Sequence, residues 1–215
     1  MLSLLNMSSE WKSVEHALEY LARAEKIPHR IEGESVLLEE VPPQAVRILD
    51  IGAGDGRLLD LCLLKCRNAC GVALDFSPAM LKKLRAKYGK EKRVEVIEHD
   101  INHPLPSSLG RFDVIVFSFS IHHVDDTRKY KLYYEIWHLL EDGGVFCNLE
   151  HVSSPTRDLH EKFFAAIGMT LADEDKSNIL LDVETQLKYL REIGFKEVDC
   201  YWKWRELALL IGKKT

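Results

Sequence analysis

Short apolar runs and helical stripes alternate along the chain. Trp11, Val14, Leu18 and Leu21 recur at helical spacing within residues 9–24. That helix has to end before Ile27-Pro28, because a residue preceding proline is driven out of the α region. A second helical stretch covers roughly 32–40 and stops at Pro42-Pro43. The buried run Val46-Arg47-Ile48-Leu49-Asp50-Ile51 then breaks into Gly52-Ala53-Gly54-Asp55-Gly56, and a helix follows from about 57 to 67. Strands are predicted at 70–75, 94–98, 112–118 and 144–150, separated by helices over 78–88 and 128–140. Phe112-Asp113-Val114-Ile115-Val116-Phe117-Ser118 carries the strongest strand pattern.

Nearly continuous apolar strands separated by helices require a parallel sheet covered on both faces. The end of the chain departs from that pattern. After a helix at 183–192 and Gly194, residues 195–212 read as two strands with little between them, an antiparallel hairpin at the sheet edge. Residues 154–181 interrupt the alternation and are expected to carry a helix at 157–167 and a mobile loop. The expected architecture is one α/β domain over 1–215. It is doubly wound, or Rossmann-like, with a helical cap at 1–43 and an insertion at 154–181 over the active site.

Composition narrows the class. At 215 residues, 46% hydrophobic and 29% charged, the chain is neither a disordered tail nor a disulfide-stapled miniprotein. A net charge of −5 supplies no global positive field, so nucleic acid is disfavoured without being excluded. The five cysteines are an odd number, Met1–Asn6 has no basic signal-like region, and no run approaches a membrane span. The expectation is a reduced, cytoplasmic protein with no membrane association.

Ligands in such sheets bind beyond the carboxyl ends of the strands, where the connectivity reverses. Gly52, Gly54 and Gly56 follow the first strand directly, and their missing Cβ atoms let the backbone approach a ligand. Asp75 closes the second strand, where an acid commonly takes both ribose hydroxyls. Asp50 lies just under the glycine loop, and Asp100 closes the third strand. One such acid is ordinarily a helix cap or turn former. Three, closing successive strands, point to a ligand.

Leu49-Asp50-Ile51-Gly52-Ala53-Gly54-Asp55-Gly56-Arg57 resembles the first motif of class I S-adenosylmethionine-dependent methyltransferases. Ala73-Leu74-Asp75-Phe76-Ser77-Pro78-Ala79-Met80-Leu81 is similar to their second motif. Phe112–Ile115 and Leu139-Leu140-Glu141-Asp142-Gly143-Gly144 resemble the fourth strand and the turn into the fifth, so the resemblance spans about 45–212. It implies a seven-stranded sheet with its last strand antiparallel, in agreement with the hairpin. It also implies S-adenosylmethionine as cofactor, with S-adenosylhomocysteine as product. Gly52, Ala53 and Gly54 would pack on the methionine part, with Asp50 beneath them, and Asp75 would hold the ribose. Asp100 and Ile101 would flank the adenine, Phe76 and Met80 would line its other face, and Ser118 would sit near the sulfonium. Nicotinamide binding is a rival, but the third glycine follows the second by two residues, where the dinucleotide fingerprint has three.

On the substrate side, Arg30 either grips the cofactor carboxylate as a bidentate partner or is a surface arginine beside a proline turn. His122 and His123 follow the fourth strand, and Glu150 and His151 end the fifth. Imidazole can take a proton as methyl transfer proceeds, although alignment alone serves many such reactions and a histidine there also has packing duties. No metal site is expected. Adjacent His122 and His123 should point apart, and Cys62, Cys66 and Cys70 read as small core-facing residues. The expected function is in-line methyl transfer to a small-molecule acceptor. Two alternatives stay open, a tRNA methyl- or carboxymethyltransferase and a non-catalytic S-adenosylmethionine-binding protein. The acceptor atom and the oligomeric state are not encoded legibly.

Overall fold

The computed structural model describes residues 27–215, so the helix expected at 9–24 lies outside the described residues. In chain order the elements are α1 (Arg30–Glu40), β1 (Arg47–Ile51), α2 (Arg57–Lys65), β2 (Cys70–Asp75), α3 (Pro78–Tyr88), β3 (Val94–Glu98) and β4 (Phe112–Ser118). They continue with α4 (Asp126–Leu139), β5 (Leu140–His151), α5 (Arg157–Ala166), α6 (Val183–Ile193), β6 (Lys196–Trp204) and β7 (Leu207–Lys213). The sheet order is β3-β2-β1-β4-β5-β7-β6, and β7 runs antiparallel to both β5 and β6. The other pairings are parallel. This is the seven-stranded sheet, with its last strand antiparallel, that the sequence pattern and the resemblance predict.

Both sheet faces are covered, which is why β1, β4 and β7 read as almost unbroken apolar runs. Side chains alternate between the faces. Ile48, Val114 and Val116 pack with Leu37 of α1, Leu59 of α2 and Leu84 of α3. Leu49, Ile51, Ile115 and Phe117 pack with Leu132 and Ile136 of α4 and Leu190 of α6. Cys62 and Cys66 are buried, as their spacing predicts, whereas Cys70 is exposed at the start of β2. Asp182 caps α6 by accepting from the Thr185 amide at 2.8 Å.

One boundary differs from the sequence expectation. β5 begins at Leu140, at the very end of α4, because Leu140 pairs with Phe112 before the ladder is interrupted. It resumes at Val114 with Val145, and the glycine pair Gly143-Gly144 absorbs the extra residues. The segment after α5 is hydrogen-bonded to its neighbours through Ile179 and Leu181.

The topological switch lies between β1 and β4, so the loops that follow them part and leave a crevice above the strand ends. Below it, fully buried Phe146 meets Phe117, Tyr133 and Phe195 at ring centroid distances of 6.0, 5.7 and 5.9 Å. Phe146→Ala is expected to cost about 3–5 kcal/mol, read as a lower denaturation midpoint with an unchanged slope in chemical unfolding.

Candidate active site

The glycine loop is set by its contacts as much as by its dihedrals. A Cβ on Gly52, whose φ is 70°, would lie 2.5 Å from the Ser120 hydroxyl oxygen. The loop after β1 and the loop after β4 therefore close on each other at this point. Gly54, at φ 58°, faces open space. Its amide donates to Asp75 Oδ2 at 2.8 Å, and the Ser77 amide donates to Asp75 Oδ1 at 2.8 Å. One carboxylate thus ties the glycine loop to the end of β2 and the start of α3.

That carboxylate and its neighbour are poorly solvated. Burial pushes the Asp75 carboxyl up to about 6, against the pull of its amide donors. Burial, reinforced by the Asp75 and Asp55 charges, pushes Asp50 to about 7. Asp50 Oδ2 accepts from the Leu59 amide at 3.1 Å, whereas the buried Oδ1 has no hydrogen-bond partner. The hydroxyl oxygen of Ser118 at the end of β4 is also buried and unpartnered. Unsatisfied polar atoms of this kind are expected where a polar ligand supplies the missing partner.

A cavity of about 400 Å³ opens over these groups. Of the residues singled out from the sequence, Arg30, Asp50, Gly52, Ala53, Gly54 and Asp75 line it. So do Phe76, Met80, Ile101, Ser118 and His123. Asp100 stands beside it with Oδ1 taken by the Asn102 amide and side chain, at 2.9 and 2.8 Å. Sequence reasoning missed His99 and Asn102, which flank the Asp100-Ile101 pair in the wall, and Phe119 and Ser120 after β4. Their place immediately after β3 and β4 was the available signal. Phe119 holds φ at 54°, a strained conformation for a bulky residue, of the order of 1–3 kcal/mol.

Arg57 was also missed. Its guanidinium donates to buried Glu34 at 2.7 and 3.0 Å, and Arg30 Nε donates to the same carboxylate at 2.9 Å. Glu34 thereby holds two guanidiniums at the cavity wall, with that of Arg30 5.6 Å from the Phe119 ring centre. No spacing rule connects Glu34 to Arg57, because the pair is made by α1 packing beside α2.

The four residues at the ends of β4 and β5 form one polar cluster. His122 Nδ1 bonds Glu150 Oε1, which also accepts from the His151 amide at 2.7 Å. The expectation that His122 and His123 point apart fails. The 3₁₀ turn over Ile121–His123 brings their rings to a 4.1 Å centroid distance. His123 reaches the cavity wall, and His122, Glu150 and His151 stand behind it. Burial holds His122 well below its usual pKa and lifts Glu150 to about 7. Farther back, fully buried Glu206 pairs with His151 Nε2 at 3.0 Å and His160 Nδ1 at 2.9 Å. Among the described residues no His, Cys, Asp and Glu group has the geometry of a metal site. Nor is any described helix long and apolar enough to cross a membrane.

Residues 48–144 match the model of the methyltransferase domain family. The demethylmenaquinone methyltransferase of Clavibacter sepedonicus is 30% identical over 74% of this chain and 69% of that protein. The carboxy-S-adenosyl-L-methionine synthase of Nautilia profundicola is 23% identical over 78% and 77%. Human N-acetylserotonin methyltransferase, solved with its methyl donor, superposes with a TM-score of 0.69 at 17% identity, covering 99% of this chain and 59% of that one. An O-methyltransferase family protein from Burkholderia thailandensis gives 0.73 at 16%, covering 97% and 62%. The chain thus spans about six-tenths of the length of these solved structures, and the likeness to them is one of fold. The chain belongs to the class I S-adenosylmethionine-dependent methyltransferases. S-adenosylmethionine is the cofactor of that family, and the residues around the cavity fit it. The open face of Gly54 admits a close-lying ligand, and the unpartnered Asp50 and Ser118 oxygens call for polar groups.

The burial of Asp50 makes a pH-dependent prediction for the ligand-free protein. Its folded pKa of about 7 lies above the unfolded value near ~4, so its ionisation costs stability as pH rises through that interval. Asp50→Asn should therefore gain melting temperature relative to wild type between about pH 4 and about pH 7, with a constant gain above. A difference in Tm that is the same at both ends would refute the burial account.

Proposed function

We propose that the chain transfers the methyl group of S-adenosylmethionine to a small-molecule acceptor, with His123 as the group at the acceptor end of the cavity. The observation that carries this reading is the single cavity wall that runs from the glycine loop and Asp75 to His123. When bound, the cofactor supplies a methyl group already activated on a sulfonium. The residues of the chain then have three tasks. Asp75 would accept from the ribose hydroxyls, and Asp50 Oδ1 would gain the donor it lacks. Phe76, Met80 and Ile101 would enclose the adenine. His123, which lines the acceptor end, would accept a proton from an acceptor hydroxyl, amine or acidic carbon. His122, Glu150 and His151 would orient it from behind. The segment after α5, whose Ile179 amide donates to the His122 carbonyl at 2.7 Å, would cover the acceptor end.

Calorimetric titration with S-adenosylhomocysteine, with NAD as control, tests the cofactor half. Micromolar binding of the former alone is expected. Asp75→Ala should weaken it about 10–100-fold, the worth of hydrogen bonds to a charged acceptor. Wild-type protein that binds NAD and not S-adenosylhomocysteine would overturn the reading.

Arg30 favours a second reading, in which the cofactor carries an additional carboxylate. Its guanidinium is fixed at the wall by Glu34 and lies over Phe119, directly after the strand end that would face the sulfonium. Several relatives are carboxy-S-adenosyl-L-methionine synthases. Mass spectrometry of nucleosides released from the purified protein separates the two. The carboxylated cofactor in wild type, and its loss in Arg30→Met with S-adenosylmethionine retained, is the outcome this reading requires.

A further inference from the structure

Between α5 and α6 the chain makes a hydrogen-bonded relay that no motif announces. We propose that Asp175 and Ser177 are positioning residues that hold His123 as its Nδ1–H tautomer. This rests on the reading of the cavity given above.

The argument is one of counting hydrogens. The Ser177 hydroxyl oxygen lies 2.7 Å from Asp175 Oδ1 and 3.0 Å from His123 Nδ1. Asp175 Oδ1 also accepts from the Ser177 amide at 2.9 Å. The Ser177 hydroxyl donates to Asp175 Oδ1, and that bond takes its one hydrogen. The hydroxyl oxygen must then accept from His123, and Nδ1 must carry the proton. A neutral imidazole has a single N–H, so Nε2 keeps its lone pair. The ring is neutral because it is buried. His122 opposes its charging further, whereas Asp175 and Glu150 act in the other direction.

The relay is anchored on both sides. The Ile179 amide donates to the His122 carbonyl at 2.7 Å. The Ile179 carbonyl accepts from Lys129 Nζ at 2.7 Å. Lys129 is almost completely buried, and the same ammonium donates to the Val124 carbonyl at 2.7 Å and to Asp126 at 3.0 Å. One lysine on α4 therefore staples the 175–179 segment to the turn that bears both histidines. Ser177 is 2% exposed, so water does not compete for its hydroxyl.

The test is long-range proton–nitrogen NMR on the full chain with ¹⁵N-labelled histidine, saturated with S-adenosylhomocysteine, with the His123 signal assigned by His123→Gln. Wild type should show a protonated-type Nδ1 and a lone-pair-type Nε2 for His123, unchanged between about pH 8 and about pH 6. Ser177→Ala should move both nitrogens toward the average of two exchanging tautomers, and Ser177→Thr should restore the wild-type pattern. Asp175→Asn should also keep it, because the amide oxygen can still accept. An Nε2–H tautomer in wild type overturns the proposal, as does a wild-type pattern that survives Ser177→Ala. If Ser177→Ala does not fold, the wild-type and threonine spectra still decide. Failure of S-adenosylhomocysteine to bind wild type would instead strike the functional reading, which makes the two failures distinguishable.

Discussion

A single buried carboxylate organises the cofactor half of this molecule. Asp75 accepts from the Gly54 amide with one oxygen and from the Ser77 amide with the other. Those two bonds place the glycine loop, the end of β2 and the start of α3 in one rigid corner. The arrangement is costly, because burial disfavours the Asp75 charge, and that charge in turn helps to raise Asp50. A corner that keeps two such carboxylates, one with an unpartnered oxygen, is organised for a ligand rich in hydrogen-bond donors. The strain at Phe119 belongs to the same logic, since it lies where β4 delivers its loop to the crevice.

The opposite half is organised by imidazole–carboxylate pairs. Glu150 joins His122 to the backbone of His151, and Glu206 joins the side chains of His151 and His160. The two carboxylates behave oppositely for a physical reason. Glu206 is drawn below its usual pKa because hydrogen bonds from His151, Ser154 and His160 outweigh its burial. Glu150 is raised because its burial outweighs its donors. His160, held between Glu206 and Glu174, is raised in turn despite its own burial. Charge is therefore retained at the back of the network and suppressed near the cavity, where His122 and His123 are neutral.

Much of the cofactor half was legible in the chain because its signals are local. A glycine loop needs glycines within a few residues, and an acid at a strand end is recognised by its place after an apolar run. Asp50, Gly52, Gly54 and Asp75 could be singled out on that basis, and all four line the cavity. His99 and Asn102 stood next to residues already singled out, and only the loop geometry decides that His99 lines the cavity where Asp100 does not. The boundary of β5 was misjudged because a register shift at Gly143-Gly144 is a property of two strands together, not of one.

The sequence by itself determined the alternation of strands and helices, the antiparallel final hairpin and the glycine–acid corner. Each depends on periodicity or on spacing within one loop. Tertiary structure alone decided the rest. Glu34 meets Arg57 only because α1 lies beside α2, and Ser177 meets His123 only because Lys129 draws the two segments together. Contacts between residues this far apart in the chain follow from how the layers pack. No periodicity along the chain records that, because packing depends on the shapes of both partners at once.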